Sequence, residues 1–106
     1  MDINEYQTNV ENLSNYNPEL GPFGVVFDLT YNIGNLSKKL QTNLYENDGN
    51  ITDKDKGIIA IALSDVLGNI AVISDYLGIA MSDLQSLNLR KLTLQKEMET
   101  KNKSKS

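Results

Sequence analysis

Between Gly57 and Ile73 this chain is apolar on almost every side, and no other stretch limits its fold as much. Ile58, Ile59, Ile61, Leu63, Val66, Leu67, Ile70, Val72 and Ile73 leave no broad polar face. A helix of that kind is covered on several sides. With 106 residues the chain makes one domain, large enough for a single core but small enough that a partner subunit would help. Asp65 and Asn69, four apart, are the polar exceptions. The run is short and interrupted by these two residues, which argues against a membrane span. The acidic start Met1-Asp2-Ile3-Asn4-Glu5 does not read as a signal peptide. A cytoplasmic protein is expected.

The rest of the sequence organises itself around that helix into an all-α, four-helix bundle, with homo-oligomerisation expected to complete it. The helical domain is expected over residues 1–100, and the Lys-rich segment 101–106 as a flexible tail. Ile3, Tyr6, Val10 and Leu13 recur at helical spacing and predict a first helix over 3–13. Asn15, Asn17, Pro18, Gly21 and Pro22 predict a loop, with Pro22 suited to the first turn of the next helix. A second helix follows to about Leu44, on the apolar positions Phe23, Val26, Phe27, Ile33, Leu36, Leu40 and Leu44. It carries a narrow polar stripe, Asp28, Asn32, Asn35 and Lys39. The sequence Glu46-Asn47-Asp48-Gly49-Asn50 breaks the chain, and Thr52 or Asp53 is placed to cap the third helix, which runs to about Leu77. Gly78 suits a C-cap, and Ser82 with Gln85 reads as a capping box for a fourth helix.

Composition removes several chemistries. There is no cysteine, hence no disulfide framework and no thiolate metal site. There is no histidine, so Ser-His and Cys-His catalysis are excluded along with the commonest transition-metal ligand. Any metal would be a hard cation held by oxygen. A net charge of −4 argues against general binding of nucleic-acid polymers.

Five segments, in order, then suggest a relationship. They are Asn4-Glu5-Tyr6-Gln7, Tyr31-Asn32-Ile33-Gly34-Asn35-Leu36, Leu63-Ser64-Asp65-Val66-Leu67, Tyr76-Leu77-Gly78-Ile79 and Asn88-Leu89-Arg90-Lys91-Leu92. Together they resemble the MazG-like, all-α nucleoside triphosphate pyrophosphohydrolases, over nearly the whole chain. That family has Gly-Glu-x-Gly-Glu-Leu at the second segment and Leu-Gly-Asp-Val-Leu at the third. The resemblance implies cleavage of a nucleoside triphosphate to monophosphate and pyrophosphate, with clustered carboxylates holding Mg²⁺. The family's acids fall at Asn32, Asn35, Ala62 and Asp65, so only Asp65 is retained. Losing one key catalytic group commonly costs roughly 10²–10⁴-fold in rate. The degenerate site therefore points away from turnover, and no cofactor is expected.

The substitutions also suggest a positive role. Carboxylates repel a polyphosphate unless metal lies between, whereas Asn side chains offer uncharged N–H donors. The expected function is that of a pseudoenzyme binding and sequestering a nucleotide or nucleotide-derived signal. A bacterial virus (phage) would have a use for such a sponge against host immune signalling. Candidate ligand residues are Asp28, Asn32, Asn35, Lys39, Asp65, Asn69, Asn88 and Lys91, with Tyr6, Phe27 or Tyr31 as stacking platforms. Each has a plainer reading: a buried Asn pair fixing register, solvated surface lysines, tyrosines that simply pack. Two other functions stand beside the first. One is a residual Mg²⁺-dependent pyrophosphohydrolase, with Asp28 and Asp65 sharing the metal. The other is a protein-binding inhibitor that uses the surface of a helical homodimer or homotetramer.

Overall fold

Asp2 begins the first helix by accepting a hydrogen bond from the Glu5 amide at 2.8 Å, as an N-cap carboxylate does. The computed structural model describes residues 1–14, 19, 21 and 23–104. Within them the chain forms α1 (Ile3–Leu13), α2 (Phe23–Glu46), α3 (Asp53–Tyr76) and α4 (Met81–Ser104), in that order. The expected loop residues Asn15, Asn17, Pro18 and Pro22 lie outside the described residues.

Local signals set most of the boundaries. Between α2 and α3 the backbone turns through Asp48 and Gly49, at φ 51° and 77°. Thr52 then caps α3 through a reciprocal box with Asp55: the Asp55 amide donates to Thr52 Oγ1 at 3.1 Å, and the Thr52 amide donates to Asp55 Oδ2 at 3.3 Å. At the far end Gly78 adopts φ 71°. There the Ile79 amide reaches the Ser74 carbonyl at 2.8 Å and the Gly78 amide the Asp75 carbonyl at 2.9 Å. That pair of bonds is a Schellman motif, which the glycine permits.

Two expectations need correction. The first concerns Ser82 and Gln85, which do not form a capping box, because Ser82 lies within α4. The first turn of α4 is capped from α1 instead. Gln7 Oε1 accepts from the Met81 amide at 3.1 Å and Asn4 Oδ1 from the Ser82 amide at 3.1 Å, while Asn4 Nδ2 donates to Ser82 Oγ at 3.0 Å. These contacts satisfy amides that have no partner within their own helix. The second correction is on α1, whose buried line runs through Gln7 and not through Leu13, which is exposed. Gln7 also donates to the carbonyls of Ile79 at 2.9 Å and Ala71 at 3.4 Å. Burying this amide with all its bonds made ties α1 to the α3–α4 corner.

The centre of the fold is the α2–α3 hairpin. Asn32 lies beside Asn69 and Asn43 beside Ile58, so the two helices run antiparallel. Val25, Ile59, Ala62 and Ala71 are buried, and α1 covers the C-terminal half of α3. α4 touches α1 through its first turn and then runs out to Ser104, past the boundary expected at residue 100. Beyond that first turn it carries exposed Leu87, Leu89, Leu92, Leu94 and Met98.

The hairpin has two unlike faces. On α2, Val26, Ile33 and Leu44 turn about a quarter of the way round from the buried line, and Asp28 and Asn35 turn the other way. On α3, Leu63, Leu67 and Ile70 turn away from the face that holds Asp65. Because the helices are antiparallel, the apolar residues share one side of the pair and the polar residues the other. All six of those apolar side chains are exposed. α3 is also long and apolar enough to cross a membrane by length and composition, with a mean hydropathy of 1.9 over its most apolar stretch.

Candidate functional site

The polar face of the hairpin contains two neighbouring clefts. The one nearer α1 is lined by Val10, Ser14, Asp28, Asn32, Ser64, Asp65, Gly68 and Asn69, with a volume of about 250 Å³. The polar stripe of α2 supplies Asp28 and Asn32, four apart, and α3 supplies Asp65 and Asn69 at the same spacing. Facing pairs at i and i+4 on antiparallel helices converge on one another. Four residues expected from the sequence are therefore brought together.

Asn32 and Asn69 are joined directly, Nδ2 to Oδ1, at 2.7 Å. Asn69 is buried and Asn32 half-buried, so the amide pair forms the floor of the cleft. Asp28 and Asp65 are exposed at its rim. Ser64 and Ser14 line it too, each with its hydroxyl donating to its own helix, to the Ile61 and Val10 carbonyls respectively. Neither serine was picked out by the sequence patterns. Ser64 belongs to the Leu-Ser-Asp segment, but a serine on a helix carries little signal by itself.

The second cleft lies towards the α2–α3 turn. Asn35, Lys38, Lys39, Thr42, Asn43, Asp55 and Ile58 line its 390 Å³. Asn35 and Lys39 are half-buried here, and Lys38 adds a second ammonium. Asn43 is buried, its Nδ2 bonded to the Lys39 carbonyl at 3.1 Å, and it accepts from Asn47 at 3.5 Å. Lys38, Thr42 and Asn43 were not identified from the sequence. Thr42 and Asn43 extend the α2 polar stripe by one turn, and Lys38 adjoins it beside Lys39.

Asn88 and Lys91 are not brought to either cleft within the chain. Both are exposed on α4 beyond its contact with α1. Phe27 and Tyr31 are exposed on α2 and line neither cleft, as is true of the half-buried Tyr6 on α1. Ala62, the third of the four positions where the resemblance implies an acid, is buried in the hairpin seam.

Among the described residues no three acids cluster closely enough to hold an ion. The first cleft brings together two carboxylates and an amide pair whose closest bond is already internal. Magnesium dehydrates reluctantly and favours oxygen ligands in near-octahedral geometry. These side chains fall short of that without further oxygens. Compared with protein families, curated proteins and solved structures, the chain matches none.

Proposed function

We propose that this protein binds a nucleotide or nucleotide-derived molecule along the polar face of its α2–α3 hairpin and holds it without turnover. The observation that carries this reading is the division of charge between the two adjoining clefts. The cleft with Lys38 and Lys39 offers two ammonium groups and the Asn35 amide, which suit phosphate oxygens, while the Asp55 carboxylate at its edge is engaged by the Thr52 cap. The cleft with Asp28, Asp65 and the Asn32–Asn69 pair offers acceptors and amides, which suit ribose hydroxyls and base amino groups. A ligand lying across both has its anionic end at the lysines. The ligand set is Asp28, Asn32, Asn35, Lys38, Lys39, Asp65 and Asn69. Asn88 and Lys91 are left out, because α4 carries them away from both clefts. The MazG-like relationship, the cytoplasmic setting and a role as a phage-type sponge remain part of this proposal, supported by the five sequence segments and the Asn-for-acid positions.

The test uses purified protein and a panel of triphosphates, dinucleotides, cyclic nucleotides and ADP-ribose derivatives. After free ligand is removed, the protein is denatured and the released molecule identified by mass spectrometry, with and without Mg²⁺. An intact nucleotide retained without metal is expected. Lys39→Ala should weaken its binding about tenfold, the loss expected of one charge-assisted contact, while Lys91→Ala leaves it unchanged. If nothing is retained, the reading is wrong. A second reading is favoured by Asp28 and Asp65 lining the same cleft. Those carboxylates could share Mg²⁺ with a bound triphosphate, and monophosphate plus pyrophosphate appearing only with Mg²⁺ would establish a residual hydrolase.

A further inference from the structure

We infer that two copies of this chain associate reciprocally, α4 of each lying on the apolar α2–α3 face of the other. The chain's exposed area favours such a pair. A folded monomer of 11.8 kDa exposes about 5,900 Å². This chain exposes 8259 Å², an excess of about 2,300 Å². Buried on both partners, that excess falls in the range of obligate dimers, about 2,000–5,000 Å² in total. A standard transient contact would leave most of it open.

The excess also lies where such a pair would bury it. On the hairpin it includes the exposed face of Val26, Ile33, Leu44, Leu63, Leu67 and Ile70. On α4 it includes Leu87, Leu94 and Met98, which continue at helical spacing from Leu84. Within one chain α4 packs on α1 and makes no extensive contact with that face. Their lengths match, since α2, α3 and α4 each have 24 residues.

Charge favours the pair as well. Residues 1–80 hold eleven Asp and Glu against four Lys, a net −7. Residues 81–106 hold three acids against Arg90 and five Lys, a net +3. The arm and the body of one chain are thus complementary to the body and the arm of another. A two-fold pair satisfies both contacts at once, as a closed isologous dimer requires. The occupant inferred for the face is therefore a second copy, and the polar clefts on the opposite side stay open.

The chain has no cysteine, so single introduced thiols report pairing cleanly. Leu94→Cys and Leu67→Cys would be made in separate chains with different tags, the chains refolded together and treated with a short bis-maleimide. Light scattering should give twice the monomer mass, and the linked product should join a Leu94→Cys chain to a Leu67→Cys chain. Linkage mainly between two Leu67→Cys chains would mean that the hairpins meet face to face and would overturn the arrangement. Monomer mass at all concentrations would overturn it too. So would a monomer that floats with anionic lipid vesicles, since the face would then be a lipid surface. As a second variant, Leu87→Lys with Leu94→Lys changes only exposed side chains of α4 beyond its contact with α1. It should halve the measured mass while keeping the helical circular dichroism. A pair that persists unchanged would exclude α4 from the interface.

Discussion

Gln7 carries more of the tertiary structure than any apolar residue of α1. Its amide reaches two carbonyls and one amide around the α3–α4 corner, and it is buried there. Gln7→Leu should keep the volume and lose all three bonds. A buried group left unsatisfied costs about 1–3 kcal/mol, so a loss near 3 kcal/mol in urea unfolding is expected. A variant as stable as the parent would show that water replaces the amide at no cost. The contact between Glu11 and Asp75 works against the fold. Asp75 raises the Glu11 carboxyl above its ordinary 4.5, chiefly by charge repulsion and then by a hydrogen bond between the two groups. A carboxyl raised on folding stabilises below its unfolded value and loses that stabilisation as pH climbs through the raised one. Glu11→Gln should therefore increase the melting temperature at pH 7, and the gain should shrink by pH 4. Because the group is solvent-screened, the effect is small. An equal gain at both pH values would mean that repulsion is not its source.

The elements were legible where backbone chemistry announces itself. The Thr52 cap, Gly78 and the Asp48-Gly49 turn sit where the sequence puts them, because caps and positive-φ turns depend on neighbouring residues. Gly78→Ala tests the strength of that signal. A side chain at φ 71° costs roughly 1–2 kcal/mol, to be read from chemical unfolding. What could not be read locally was the start of α4, whose partners Asn4 and Gln7 lie more than 70 residues away. Ser82-x-x-Gln85 imitates a capping box, but the competing bonds from α1 place Ser82 inside the helix. The polar cleft was half legible for a similar reason. The helical period puts Asp28, Asn32, Asn35 and Lys39 on one stripe, yet only the pairing of α2 with α3 separates them into two clefts. Nothing in the spacing of Asn88 and Lys91 reveals that α4 leaves the body.

At the scale of the whole molecule, the radius of gyration is 17.7 Å, against about 13 Å for a compact domain of this length. The difference comes from α4 and from the uncovered hairpin face. Helices draw most of their stability from tertiary packing, so the distal half of α4, about 12 residues long, depends on what it lies against. Hydrogen exchange of amides 88–104 should slow as protein concentration rises, with little change in α3. Exchange in α4 that ignores concentration would mean that its stability is intrinsic. Association should also weaken as NaCl is raised from about 50 to 500 mM, because a −7 body and a +3 arm attract through screened charge. Sedimentation equilibrium across that range would measure it. A dissociation constant that falls with salt would place the driving force in apolar burial alone.

The capping of α4 by α1 also orders events during synthesis. Asn4 and Gln7, which cap α4, are made more than 70 residues ahead of it and must wait until residues 79–82 leave the ribosome. Until then Gln7 and Asn4 are solvated, and α1 has only part of its final contacts. Closing that contact carries a loop entropy, which the earlier packing of α1 on α3 reduces. Each nascent chain therefore passes through a stage with the greasy α3 made and the corner that locks it unfinished, between Tyr76 and Ser82. In a crowded polysome, that interval is when neighbouring chains are most exposed to one another.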